Sequence, residues 1–278
     1  MRRPGLLLLT LLSFTAAAQT FPSRPLELVI HTGPGAGADR IARLISEILT
    51  REKLITQPIV VTNRTGGAGT VAYNYMKTKR GDPHVILASV GSTIISASLR
   101  PEFNVSLDNF TMVARLAQDP QAVIVSADSP WRSFKELIDT AKREPVALVA
   151  VMGGHTQLST ENVSEGMPAI QAKKLRVLAV STNKRMAAIP DTPTLRELGY
   201  NIHIGSVRGM AMPAGVPKEA VEHMEAALYR VYQSQAWQQH AASHYYENSW
   251  MGSAEFTKYM LGRREWVREF LKSIGATK

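Results

Sequence analysis

Gly33-Pro34-Gly35-Ala36-Gly37-Ala38-Asp39 is the stretch whose residue types and spacing best suit chemistry. Its three glycines let the backbone bend so that successive N–H groups point inward, and such a nest binds anions. A short apolar run, Leu26 to Ile30, precedes the loop, and Ile41, Leu44, Ile45, Ile48 and Leu49 follow it at helical spacing. The loop therefore opens a helix near Asp39, whose dipole adds positive potential at the same place. Carboxylate or phosphate is stabilised there; a tight strand-to-helix turn without a ligand is the other reading.

Competing chemistries fit less well. Gly33-x-Gly35-x-x-Ala38 matches a dinucleotide fingerprint, yet Asn63 and Arg64 stand where an acidic ribose partner belongs. No Lys-Ser/Thr pair follows the glycines, so the pattern is not a P-loop. There is no G-x-S-x-G elbow and no cysteine, which removes two kinds of nucleophile. His240 and His244 are four residues apart, but no carboxylate nearby completes a metal set. The expectation is a chain without catalytic residues, metal or cofactor, and an exported enzyme is the third-ranked reading.

The elements that position the loop alternate. Strands are expected at Leu26 to Ile30, Pro58 to Val61 and His84 to Ser89. Helices follow near Asp39 and after the second glycine-rich segment, Asn63-Arg64-Thr65-Gly66-Gly67-Ala68-Gly69-Thr70. That order implies a parallel sheet with ligand loops at the carboxyl ends of its strands. Further strands are expected at Val113 to Leu116, Ala122 to Val125, Leu175 to Val180 and, as the last clear one, Val207 to Met212. A helix is expected over Ser133 to Lys142, with Ser133 as N-cap. Another starts at Pro217, and a terminal amphipathic one carries Phe256, Tyr259, Met260, Trp266, Val267, Phe270 and Leu271.

Arg2 and Arg3, an apolar run from Leu6 to Phe14 and Ala16-Ala17-Ala18 before Gln19 have the order of a cleavable signal peptide over residues 1–18. The run is shorter than the roughly 18 to 20 residues that span a bilayer. The expected location is therefore the periplasm, with a soluble mature protein of about 260 residues, one large or two modest domains. The formal charge of +9 is scattered, without a Lys/Arg run or aromatic interleaving. That favours small anions over nucleic acid as partners.

Several motifs in fixed order carry a family resemblance. They are Phe21-Pro22-Ser23-Arg24-Pro25, the Gly33–Asp39 loop, Asn63 to Gly69, Met152-Gly153-Gly154, Lys174 to Val180 before Ile189 to Thr194, and Gly209 with Pro213-Ala214-Gly215-Val216-Pro217. Together they resemble the Bug family, the periplasmic solute-binding proteins of tripartite tricarboxylate transporters. The resemblance implies a periplasmic-binding-protein-like (type II, Venus-flytrap) α/β fold, two lobes joined by crossover strands. The first lobe would comprise residues 19–115 and 214–278, the second 116–213. Ligand contacts would come from Gly33, Pro34, Gly35, Ala36, Gly37, Ala38 and Asp39, with Gly91, Ser92 and Thr93 lining the same lobe and Arg208 facing the cleft. The implied ligand is a small organic anion: a di- or tricarboxylate, an amino acid or an aromatic carboxylate. The implied partners are membrane transporter subunits or a sensor, with the receptor a monomer.

One departure stands out. The family's second anion loop, after the helix that ends near Pro145, and its V-P-Y-K-G stretch have no counterpart here. Lys142-Arg143-Glu144-Pro145 runs directly into Val146 to Val151, so the second lobe is shorter by roughly 40 to 50 residues. An exported relative that has lost solute binding and serves as a sensor or interaction module is the runner-up reading.

Overall fold

The computed structural model describes residues 21–88, 91–143 and 158–276. The signal segment, Val146 to Val151 and Met152-Gly153-Gly154 lie outside the described residues.

Strand β1 (Leu26–Ile30) is buried at every position but Glu27. It lies between β2 (Ile59–Asn63) and β3 (Val85–Ala88), parallel to both. Parallel neighbours require crossovers, here α1 (Gly37–Arg51) and α2 (Thr70–Thr78). Next come α3 (Ser92–Ser98) and the long strand β4 (Phe110–Ser126). After β4 follow α4 (Phe134–Arg143), β5 (Leu158–Asn162), α5 (Val163–Gln171), β6 (Leu175–Val180) and β7 (Gly205–Pro213). The described chain closes with α6 (Lys218–Gln233), α7 (Gln235–Ser243), β8 (Glu247–Met251) and α8 (Ser253–Ser273). The strand order is β2-β1-β3-β7-β4-β5, with β6 and β8 also paired to β4.

Two expected strands, Val113 to Leu116 and Ala122 to Val125, are parts of β4. Between them lies Pro120, which has no N–H to donate and is of a type usually kept out of strand interiors. Pro120 sits where β4 changes partners. Phe110 to Pro120 pair with β7, whereas Gln121 to Val125 pair with β5 and Ala122 to Ser126 with β6. β4 therefore runs through two paired regions of one α/β fold. Strands β5 and β8 and helix α5 were not anticipated. β5 reads Leu-Ser-Thr-Glu-Asn, with one apolar residue and no alternation, and α5 carries Pro168 in its interior.

The first paired region is covered on both faces. On one, Ile41, Ile45 and Ile48 of α1 pack with Leu28, Ile30, Met224, Leu228 and Trp237. On the other, Tyr73, Met76, Val29, Leu87, Ile94, Phe256 and Met260 form a second cluster. Each large apolar side chain fully withdrawn from water contributes about 1.5–3 kcal/mol. The C-terminal helices thus close the core begun by the N-terminal strands. Gly209 permits that closure, because a Cβ there would stand 2.8 Å from both the Ala114 carbonyl oxygen and Phe256 Cζ. Around the far half of β4 the clusters are smaller: Ala122, Ile124, Val163, Met167 and Val180, then Val125, Leu137 and Leu178.

Candidate functional site

A cavity of about 200 Å³ lies at the carboxyl ends of β1 and β3. His31 and Thr32 from the end of β1, Ala36 to Ala38 at the start of α1, and Gly91 and Thr93 at the start of α3 form one wall. Asn162 and Glu165 at the start of α5 and Ser206 to Arg208 of β7 form the other. Helix α1 begins with Ala36 at the N-cap, which supplies no side-chain acceptor. The donors of its first turn are thus left for solvent or a ligand at the positive end of the dipole.

Of the residues expected from the sequence, Ala36, Gly37, Ala38, Gly91, Thr93 and Arg208 come together here. Gly33, Pro34 and Gly35 do not line the cavity. Gly35 has φ +80°, and a Cβ there would meet nothing within 4 Å, so glycine serves the turn at this point. Gly37 is different: its bare Cα lies between Glu165 Oε1 and Arg208 Nη2, 3.2 and 3.9 Å from where a Cβ would stand. Ser92 opens α3.

Asp39 points into the fold. Its carboxylate accepts from the Gly35 N–H (2.9 Å), Arg43 Nε (3.0 Å) and Asn63 Nδ2 (2.9 Å). Asn63 also donates to the Thr32 carbonyl at 2.9 Å. The end of β2, the end of β1 and the glycine loop are thereby tied to one buried carboxylate. The Arg43 hydrogen bond leads the set of contacts that hold the Asp39 pKa down to about 2.

Arg208 is buried and paired with Asp119 through Nη2. Asp119 also accepts from Ser164 Oγ (2.6 Å), which joins β4 to the first turn of α5. Burial pushes the Asp119 carboxyl up, while Arg208 and Ser164 pull against it. Arg208 lies 5.4 Å above the Tyr246 ring centre. His31 is kept below its ordinary pKa by burial and then by Arg208, so its ring is neutral at pH 7. Asn162 Oδ1 accepts from Ser206 Oγ at 2.7 Å and from Gln121 Nε2, which ties α5 to both long strands.

His31 Nδ1, Thr32 Oγ1 and Arg208 Nε of lining residues are closed off from solvent and have no hydrogen-bond partner among the described residues. Such atoms are costly unless something satisfies them. The hollow beside α8, lined by Lys258, Arg263 and Trp266 among others, is larger at about 520 Å³, and no site residue expected from the sequence lines it. His31 and Thr32 were not singled out by the sequence reasoning, although they lie between the β1 run and the glycine loop. Asn162, Glu165 and Ser206 had no signal, because β5 and α5 had none. Among the described residues no cluster of three metal-ligating side chains occurs, and no helix is long and apolar enough to cross a membrane.

The family model for the tripartite tricarboxylate transporter family receptor matches residues 41–149 and 144–275. The chain belongs to that receptor family. The match divides at 144–149, where the sequence also departs from the Bug pattern. A UPF0065 protein of Bordetella bronchiseptica is 27% identical over 246 residues, 74% of this receptor and 72% of the relative. The periplasmic binding protein BugD is 20% identical and superposes with TM-score 0.75 over 92% of this chain and 99% of its own. R. palustris Rpa4515, solved with adipate, gives TM-score 0.76 at 20% identity, over 92% and 98% of the two chains. These likenesses establish the two-lobed α/β periplasmic-binding-protein fold expected from the sequence.

Proposed function

We propose that this receptor captures a small carboxylate in the cavity between the start of α1 and the start of α5, and delivers it to the membrane subunits of a tripartite transporter. The observation that carries the reading is a cavity at the start of α1, whose first-turn N–H donors have no side-chain cap, with Arg208 in its wall. A carboxylate offers acceptors for such donors and suits the dipole end. Adipate in Rpa4515 supports the ligand class. Ala36, Gly37, Ala38, Gly91, Thr93 and Arg208 are the proposed contacts from the expected set, with His31, Thr32, Asn162 and Ser206 added by position. The first lobe comprises residues 19–115 and 214–278 and the second 116–213, and the change of partners along β4 after Pro120 supports a junction between lobes within that strand. The receptor acts in the periplasm as a monomer after loss of residues 1–18, without catalytic chemistry.

Thermal-shift screening against organic acids, amino acids and aromatic carboxylates tests this reading, since a ligand that binds only the folded state raises the melting temperature by mass action. A saturable shift with one carboxylate class is expected; no shift with any of them refutes it. The divided family match favours a second reading, an interaction module without solute binding, and that outcome would select it.

A further inference from the structure

We propose that Glu165 is a built-in competitor for the solute: its carboxylate takes the seat at the start of α1 where a ligand carboxylate binds, and swings out before solute is held. The inference rests on the carboxylate reading above and deepens it. Glu165 lies in the first turn of α5 and Gly37 in the first turn of α1, and both line the cavity. Glu165 Oε1 stands 3.2 Å from where a Cβ on Gly37 would be. Gly37 is not among the glycines with positive φ, so its backbone conformation is open to any residue. What its missing side chain provides is room, and the Glu165 carboxylate stands at the edge of that room.

The seat suits an anion. The N–H groups of Gly37, Ala38 and Asp39 have no acceptor among the described residues, and Ala36 supplies no cap. Their partial positive charge favours a carboxylate at this end of the helix. Arg208 Nη2 is 3.9 Å from the same Cβ position, but it is already paired with Asp119. The base of Glu165 is fixed, because its neighbour Ser164 donates to Asp119 at 2.6 Å. Its tip is not: the side chain is exposed and makes no hydrogen bond or ion pair among the described residues. The carboxylate is therefore held by charge against dipole alone, and rotation about its own side-chain bonds frees the seat. A solute carboxylate cannot share it, since like charges a few ångströms apart in a cavity of about 200 Å³ repel. Solute binds only the state with Glu165 swung out, so its apparent affinity is reduced by the fraction of receptor in that state.

Isothermal titration calorimetry of the full mature chain at pH 7 with succinate and adipate tests the inference. Glu165→Ala should bind at least one of them roughly three- to tenfold more tightly than the native receptor, the range for a helix-dipole contact held without hydrogen bonds. Glu165→Gln, which keeps the bulk but not the charge, should fall between. Glu161→Gln is the control: it removes the same charge from β5, off the cavity wall, and should leave affinity within about twofold. A seated carboxylate also leaves a mark without solute. In amide NMR spectra Glu165→Ala should move the Gly37, Ala38 and Asp39 resonances, and excess adipate should move them back toward their native positions. Circular dichroism and melting temperature confirm that the variants fold, as expected for an exposed side chain. Unchanged affinity in Glu165→Ala, an equal gain in Glu161→Gln, or unmoved first-turn amides overturns the inference while leaving carboxylate capture intact. Failure of both probes to bind any of these proteins overturns both readings.

Discussion

Asp39→Asn isolates the electrostatic part of the glycine loop's anchor. The side chain keeps its shape but loses the charge that accepts from Gly35, Arg43 and Asn63. In the folded receptor the Asp39 pKa is about 2, against 3.8 for an unperturbed aspartate. That depression corresponds to about 2 kcal/mol of folded-state stability. Because the folded pKa lies below the unfolded one, the contribution is complete well above pH 3.8 and is lost as the pH falls toward 2. Integration over that window removes roughly half of it by pH 3. At pH 7 the variant should therefore be less stable by about 2 kcal/mol, a fall in melting temperature of roughly 4–8 °C. Urea denaturation of both proteins at pH 7, 5 and 3 should show a gap that is constant from pH 7 to 5 and about half as large at pH 3. A gap of the same size at pH 7 and pH 3, or no gap at pH 7, would refute the assignment of Asp39 as a charged anchor and return it to the list of ligand contacts.

Gly37→Val should abolish carboxylate binding with little change in melting temperature, since its side chain would enter the cavity between Glu165 and Arg208; thermal shift with and without ligand reads both effects. Gly35→Val should instead cost roughly 1–2 kcal/mol of stability through its left-handed φ of +80°, and reduce binding only as the loop shifts. Arg208→Met should destabilise by about 3–5 kcal/mol because it strands buried Asp119, and adding Asp119→Leu should recover part of that loss in urea titrations. Hydrogen exchange should protect the strands beside α1 and α8 longer than β5 and β6, whose clusters are smaller. Solution scattering should show less ligand-induced compaction than an intact relative, because the second lobe lacks the family's second anion loop and adds less differential affinity for the closed state; marked compaction would show a working clamp.

Much of this receptor was legible locally. β1, β6, the glycine loop and the opening of α1 followed from apolar runs, helical spacing and turn residues that act over a few positions. The N-cap at Ser133 was legible too, and its hydroxyl accepts from the Glu136 N–H at 3.2 Å. The bent glycine segment beside a helix start already implied anion chemistry. What tertiary structure decided was which residues share the cavity and which only support it. Asp39 looked like a contact by its place in the loop, yet its direction was set by Arg43 and Asn63, the latter 24 residues away. Proline ordinarily interrupts a strand, yet β4 continues through Pro120 because new partners take over at Gln121. β5 has no apolar alternation and forms a strand because β4 offers it a paired edge. Glu165 and Asn162 reach the cavity only through that pairing and through Ser164 on Asp119. Local pattern fixes backbone conformation; the far wall of the cavity is a sum of pairings between distant segments, and no single window of sequence contains it.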